Sequence, residues 1–349
     1  MTESLACGVH FVGSVPLSTS EEVFTTLSGA LPGRLFSIPD GETRDRENYI
    51  GWECALFPVE AILALNGGKP LPEGHSGVFT QEDVKPSNYD KVAKESYRQF
   101  LLLREKGVIP PDVRFQVSIP APYECIQGHV RPEFHAQLEP FYEKRIADAM
   151  QSIFSAIPAK DLAIQFDMPF MVSALEYERG RLLDDFWKPH FSPIRQGVLD
   201  RATKLCAQVP RNVPLGWHLC YGDLGHTHYV EPDNLGLVVD FANDLIQSMP
   251  KDVNLKWIHM PVPKDRDDLA YFEPLKRLVA GEETKVYLGL VHANDEEGTI
   301  KRLQAARSVV PVGTRREWGV ATECGMGRTP REELGSILEI SRKVTEGVV

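Results

Sequence analysis

Positive charge is in short supply in this sequence: 38 lysines and arginines face 49 aspartates and glutamates, a net charge of −11 over 349 residues. No basic run offsets that total, which argues against phosphate backbones and anionic membrane surfaces as partners. Long apolar runs are missing too. Nothing approaches the roughly 18 consecutive apolar residues of a membrane span, and MTESLACGVH has neither a basic start nor an extended apolar stretch. The expectation is a cytoplasmic protein with no nucleic-acid and no membrane partner. Clustered cysteines are absent as well: Cys7, Cys54, Cys125, Cys206, Cys220 and Cys324 are scattered, which is not the pattern of a disulfide framework. Reduced thiols are expected, most of them inert packing groups, although a reduced thiol is also a zinc ligand or a nucleophile.

What is present is a soluble globular balance, 42% hydrophobic and 25% charged residues, with ample material for a core. Short apolar runs bounded by Gly, Pro or Asp recur as CGVHFVGSVP, GRLFSIPDGE, RFQVSIPAP, DLAIQFDMPF, NVPLGWHLCYGD, NLKWIHMPVP, TKVYLGLVHAND and REWGVATECGMGR. Most are separated by segments of helical spacing, among them YDKVAKESYRQFLLLREKG, EPFYEKRIADAMQSIFSAI and REELGSILEISRKV. Eight strands alternating with helices predict parallel strands with crossover connections, and so an α/β fold, a single (β/α)8 barrel of the TIM type over residues 1–349. The stretch 43–86, rich in Gly, Pro and charge, departs from the repeat and carries one short helical pattern, WECALFPVEAILAL. It reads as an insertion after the second strand, lying over the barrel mouth.

Chemistry in such a barrel lies at the C-terminal ends of its strands. Those ends carry Gly13 and Ser14, Asp40 and Glu42, Asp167, His218 and Cys220, His259, His292 and Cys324. In WHLCYGD, His218 and Cys220 are two apart on a strand, so both can face the axis and bind one ion. Cys324, framed by glycines in TECGMGR, can close on them. A sulfur-rich, nitrogen-containing set favours zinc over the oxygen-seeking magnesium and calcium. The alternative is a satisfied core histidine with packing cysteines.

Together FVGSVP, AIQFDMP, WHLCYGD and the late ECG resemble the catalytic barrel of cobalamin-independent methionine synthase, within the superfamily of zinc thiol-alkyltransferase barrels. The resemblance runs from Gly8 to Arg328 and is carried by short motifs. It implies that His218, Cys220 and Cys324 hold zinc. It also implies that Gly13 and Ser14 meet a substrate carboxylate, that Glu42 receives a substrate ammonium, and that Asp167 is a catalytic, substrate-binding carboxylate. Two departures stand out: Met168 replaces the glutamate of the family's Asp-Glu-Pro, and KWIHMPVP offers His259 where the family has a glutamate as fourth ligand. His259 is therefore a candidate fourth ligand, or else a barrel-mouth histidine that hydrogen-bonds substrate. His292 is the other candidate, and solvent or substrate can fill an open position. His226 and His228, in GHTHYV, read as part of a lid.

The function implied is a zinc-dependent transferase that activates a small thiol as a metal-bound thiolate for alkyl, chiefly methyl, transfer from a second small molecule. Methionine synthase of this type uses a second barrel with its folate donor, so the resemblance to one barrel admits a smaller or corrinoid-linked donor beside folate. The alternatives are a hydrolase or carbon–sulfur lyase on the same metal, or a metal-binding relative without turnover.

Overall fold

A computed structural model of the chain describes residues 7–222, 227–309 and 318–346. Eight parallel strands form one sheet: β1 (Val9–His10), β2 (Ser37–Pro39), β3 (Arg114–Pro120), β4 (Leu162–Asp167), β5 (Leu215–His218), β6 (Leu255–Pro261), β7 (Lys285–Val291) and β8 (Trp318–Thr322). They are ordered β1-β8-β7-β6-β5-β4-β3-β2. The two terminal neighbours approach through Val9 opposite Leu35 and Ser14 opposite Gly41, with the Val9 N–H donating to the Arg34 carbonyl at 2.9 Å and the Val15 N–H to that of Gly41 at 2.9 Å. These bridges bring the sheet round into a nearly closed barrel, the (β/α)8 architecture expected from the alternation.

The helices follow in chain order: α1 (Ser20–Ala30), α2 (Tyr49–Cys54), α3 (Tyr89–Glu105), α4 (Pro122–Ile126), α5 (His135–Ala156), α6 (Pro169–Glu178), α7 (Ile194–Cys206), α8 (Gly236–Ser248), α9 (Leu269–Phe272), α10 (Glu296–Val309) and α11 (Leu334–Val344). Most of the crossover helices bury one face, whereas α6 is buried all round from Pro169 to Glu176. On α3 the buried face includes Ala93, Tyr97, Phe100 and Leu103, at the three- and four-residue spacing of one helix face. No helix among the described residues is long and apolar enough to cross a membrane.

The paired strands are shorter than the apolar runs that signalled them. Phe11, Val12 and Val15 are buried beyond the end of β1, so the run continues into the core although the ladder stops. In the stretch 43–86 the helical pattern also proves shorter than expected. α2 ends at Cys54, because Pro58 lacks an N–H and disfavours helical geometry just before it. The rest is held by the loop after β3: the Leu63 N–H donates to the His129 carbonyl at 2.9 Å, and the Arg131 N–H to that of Ala61 at 2.7 Å.

Inside the barrel the upper layers are polar. Ser37, Gln116, Ser118, Gln165 and His10 are all buried. The Gln165 amide nitrogen donates to the Val12 carbonyl at 2.6 Å and to Asp167 Oδ1 at 2.9 Å. Its oxygen lies 2.7 Å from His10 Nε2 and accepts from Trp257 Nε1 at 3.2 Å. Gln116 accepts from the Ser37 hydroxyl at 2.7 Å and donates to the Phe11 carbonyl at 2.9 Å. Buried amides of this kind require partners on every atom, and the network supplies them from several strands.

A partly buried ion pair joins two outer helices. Arg201 on α7 grips Glu139 on α5 through Nε and Nη2, each at 2.7 Å, and His190 Nε2 lies 2.9 Å from the same carboxylate. Burial pushes the Glu139 carboxyl up, but the hydrogen bonds from His190 and Arg201 outweigh it and hold the pKa below the ordinary value. A lowered carboxyl pKa adds stability that is complete above the unfolded value of about 4.3 and disappears as pH falls through the folded one. Arg201→Gln should cost about 2–4 kcal/mol in urea denaturation at pH 7. The gap to wild type should narrow by pH 3, and a gap independent of pH would contradict the assignment.

Candidate metal centre

The site is assembled at the C-terminal ends of the strands, where β5 and β8 hand over to loops. His218 is the last residue of β5, and Cys220 lies beyond it in the turn rather than on the strand. Its placement still suits convergence, because the Leu219 N–H donates to the His259 carbonyl at 3.1 Å and carries the extended course one residue past the ladder. Cys324 likewise follows the end of β8 at Thr322. Ligand atoms of His218, Cys220 and Cys324 all lie within 4.8 Å of one another, with His218 Nε2 at 3.5 Å from Cys324 Sγ. A hydrogen bond with Cys324, then burial, pushes the Cys220 thiol well up. The shift favours the thiol form of Cys220, and a divalent ion would favour the thiolate form of a coordinating sulfur. One imidazole and two sulfurs match the chemistry of zinc better than that of a hard cation.

The loop carrying Cys324 is pinned by Ser14. Its hydroxyl accepts the Gly327 N–H at 3.0 Å, and its carbonyl accepts the Met326 N–H at 2.9 Å. A Cβ at Gly325 would fall 2.4 Å from Ser14 Oγ, so the close approach admits only glycine. Gly13 has a matching role, since a Cβ there would lie 2.9 Å from Glu42 Oε1.

Glu42 reaches the cavity through an unusual backbone: Gly41 has φ 85° and Glu42 itself φ 46°, a region that non-glycine residues seldom adopt. The turn is held by Asp40, which accepts the Glu42 N–H at 3.0 Å, Arg46 Nη2 at 2.8 Å and the Ser96 hydroxyl at 2.8 Å. Asp40 is thus spent on the turn, and Glu42 faces the site. Burial pushes the Glu42 carboxyl up to about 8, against the opposing charge of Arg46. Burial, then the charge of Glu42, holds Asp167 well above the usual carboxylate range. Two enclosed carboxylates of this kind favour protons or a cationic ligand.

Val12, Gly13, Ser14, Glu42, Asp167, His218, Cys220 and Cys324 line one cavity of about 960 Å³. Its outer wall is aromatic and aliphatic. Phe170, Trp187 and Tyr229 pack with ring centroids 4.8–6.0 Å apart, and Ile50, Phe57, Val59, Ile62 and Leu65 enter from the 43–86 stretch.

His259 departs from the expectation of a fourth ligand. It lies outside the three-residue cluster. Its Nδ1 is 2.7 Å from His218 Nδ1 and its Nε2 is 3.0 Å from the Thr322 carbonyl, so both nitrogens are already engaged. His292 is not brought to the cluster either: its Nε2 lies 2.9 Å from the Val262 carbonyl. Met168 is buried in the core, because neighbours along a strand point to opposite sides and Asp167 takes the inward one. His226 lies outside the described residues. His228 pairs with Glu231 at 3.0 Å and Glu323 at 3.2 Å, tying its loop to the residue before Cys324. Burial lowers its pKa, but the two carboxylates outweigh that and raise it to about 9.

Arg328, Tyr49 and Tyr229 also line the cavity and were not singled out by sequence. Arg328 closes TECGMGR, and a cation in a strand-end loop was the available signal. The tyrosines gave none, since aromatic residues outside the strands are usually packing.

No family model matches the chain, and no curated protein does. Among solved structures, one from Listeria monocytogenes named by assignment as a vitamin-B12-independent methionine synthase aligns with TM-score 0.49 and 16% identity, over 93% of this chain and 84% of that one. Another, a B12-independent methionine synthase from Shewanella sp. W3-18-1 in complex with selenomethionine, aligns with TM-score 0.48 and 14% identity, over 75% and 66% respectively. Neither is close enough in backbone or sequence to assign an activity.

The Ser14–Gly325 contact yields a test that needs no ligand. Gly325→Ala should destabilise the fold by about 1–3 kcal/mol through overpacking. In a Ser14→Ala background, where the clashing oxygen is gone, the same change should cost less than half as much, a coupling that denaturation of the four proteins would reveal. Additive losses would mean that the loop does not sit against Ser14.

Proposed function

We propose that this chain is a zinc-dependent transferase that activates a small thiol for alkyl, chiefly methyl, transfer, in the manner of methionine synthase. The observation that carries the reading is the convergence of His218, Cys220 and Cys324 on a cavity that also holds Glu42 and Asp167. The sequence motifs that carry the resemblance, FVGSVP, AIQFDMP, WHLCYGD and ECG, all reach this one cavity through Gly13, Asp167, His218 and Cys324.

His218, Cys220 and Cys324 would hold the zinc, and zinc bound there keeps a substrate thiol deprotonated at neutral pH. The chain does the rest. Glu42 and Asp167 receive a substrate ammonium, which restores a counter-charge to two buried carboxylates. Gln165 holds Asp167 Oδ1 and leaves Oδ2 for the substrate. Gly13 and Ser14 meet the substrate carboxylate, Ser14 keeping its hydroxyl proton free to donate because its oxygen accepts from Gly327. The aromatic wall of Phe170, Trp187 and Tyr229, with the cover from residues 43–86, excludes water from the thiolate and surrounds the alkyl donor. A cavity near 960 Å³ lies at the upper end of the roughly 300–1,000 Å³ range of small-molecule sites, room for both substrates together.

Protein expressed with zinc should contain about one ion per chain, and Cys220→Ser or Cys324→Ser should strip it. Wild type and both variants equally empty by metal analysis would end the zinc reading.

Cobalt in place of zinc tests the thiol directly. A thiol ligand adds an intense sulfur-to-metal charge-transfer band, so a screen of small thiols reports binding before any donor is known. Amino-acid thiols should bind at least about tenfold more tightly than their deaminated analogues, a preference that Glu42→Gln weakens. If no thiol perturbs the spectrum while a carbonyl or ester does, the hydrolytic or lyase reading replaces alkyl transfer.

A further inference from the structure

His218 and His259 face each other in register on β5 and β6, with ring centroids 4.7 Å apart and both side chains buried. Their Nδ1 atoms are 2.7 Å apart, a contact that requires one proton between them. Which ring supplies it is decided at the far end. His259 Nε2 lies 3.0 Å from the Thr322 carbonyl, an oxygen that can only accept, so His259 carries its proton on Nε2. A second proton on that ring would place a charge in the barrel interior with no carboxylate hydrogen-bonded to it. Its Nδ1 is therefore a lone pair. His218 must donate from Nδ1–H, which leaves His218 Nε2 unprotonated on the side where Cys324 Sγ lies 3.5 Å away.

We infer that His259 is a positioning residue of the metal centre: through the chain Thr322 carbonyl, His259, His218 it locks His218 into the tautomer whose Nε2 is free to bind the ion. The inference rests on the metal-site reading above. Thr322 serves both arms of the site, because its hydroxyl donates to the Cys324 carbonyl at 2.7 Å while its own carbonyl receives the His259 proton. The position of the Cys324 loop and the tautomer of His218 are thus set from one residue on β8. The hydrogen bond that usually orients a metal-binding histidine runs to a carboxylate, a carbonyl or water. Here a second, neutral imidazole takes that place and passes the bond on to a carbonyl. Because His259 adds no charge, two thiolates and a divalent ion would form a neutral centre, and the arriving thiolate would be the first uncompensated anion there.

Two variants separate this role from packing. His259→Leu removes both hydrogen bonds, whereas His259→Gln retains an acceptor for His218 Nδ1–H and a donor for the Thr322 carbonyl. In metal-free protein labelled with 15N-histidine, long-range 1H–15N correlations should show His218 as the Nδ1–H tautomer, with the signal assigned through His218→Gln. His259→Leu should turn it into the Nε2–H form or a mixture, and His259→Gln should preserve it. In chelator competition, His259→Leu should weaken zinc binding about 10- to 100-fold, with His259→Gln recovering most of the loss.

An Nε2–H tautomer at His218 in the wild type overturns the inference, and this measurement stands even if His259→Leu fails to fold. Unchanged zinc affinity and tautomer in a folded His259→Leu protein overturn it as well. A wild-type protein that binds no zinc yet shows the Nδ1–H tautomer would instead refute the metal reading, with the hydrogen-bonded chain left intact.

Discussion

The structure depends on satisfying polar groups inside its barrel. A TIM-type barrel is usually filled by layers of branched apolar side chains, but here the layers beneath the mouth contain Gln116, Gln165, Ser118 and His10. Gln165 is the central member: its amide oxygen takes His10 and Trp257, and its nitrogen serves Val12 and Asp167. A single unsatisfied atom in such a place costs about 1–3 kcal/mol, so the network fixes amide orientation and strand register together. It also positions Asp167, which reaches the cavity with one oxygen already held.

The same requirement shapes the candidate metal centre. His218, His259 and Thr322 come from three different strands, and their hydrogen bonds leave one nitrogen, His218 Nε2, facing the sulfurs. Ser14 performs the corresponding task for the Cys324 loop from the first strand end. The site is thus braced from β1, β5, β6 and β8 at once. Its carboxylates stand in contrast, since Glu42 and Asp167 are enclosed and pushed toward the protonated form. Sites that combine firm positioning with enclosed carboxylates are arranged to receive a ligand, and under the proposed function a cationic group beside a metal-bound sulfur would account for both features.

The sequence alone determined the architecture and singled out His218, Cys220 and Cys324, whose ligand atoms the fold brings within 4.8 Å of one another. Eight apolar runs alternating with helical segments encode parallel strands and crossovers through local periodicity, which does not depend on knowing the partners. Strand-end polarity then located the site, and the spacing in WHLCYGD put His218 and Cys220 on one side even though the ladder stops at His218. The tertiary structure alone decided how polar groups are shared. Asp40 and Glu42 look equivalent in IPDGE, yet Asp40 is taken by Arg46, six residues on, and by Ser96, 56 residues away on α3. His259 looks like a ligand in KWIHMPVP, yet Thr322, 63 residues away, engages its outer nitrogen. Gln165 shows no signal at all within DLAIQFDMPF, because its partner His10 is 155 residues distant. The division has one cause: secondary structure is written in short-range periodicity, whereas the role of a buried polar atom is set by hydrogen bonds to residues that only the closed barrel brings within reach.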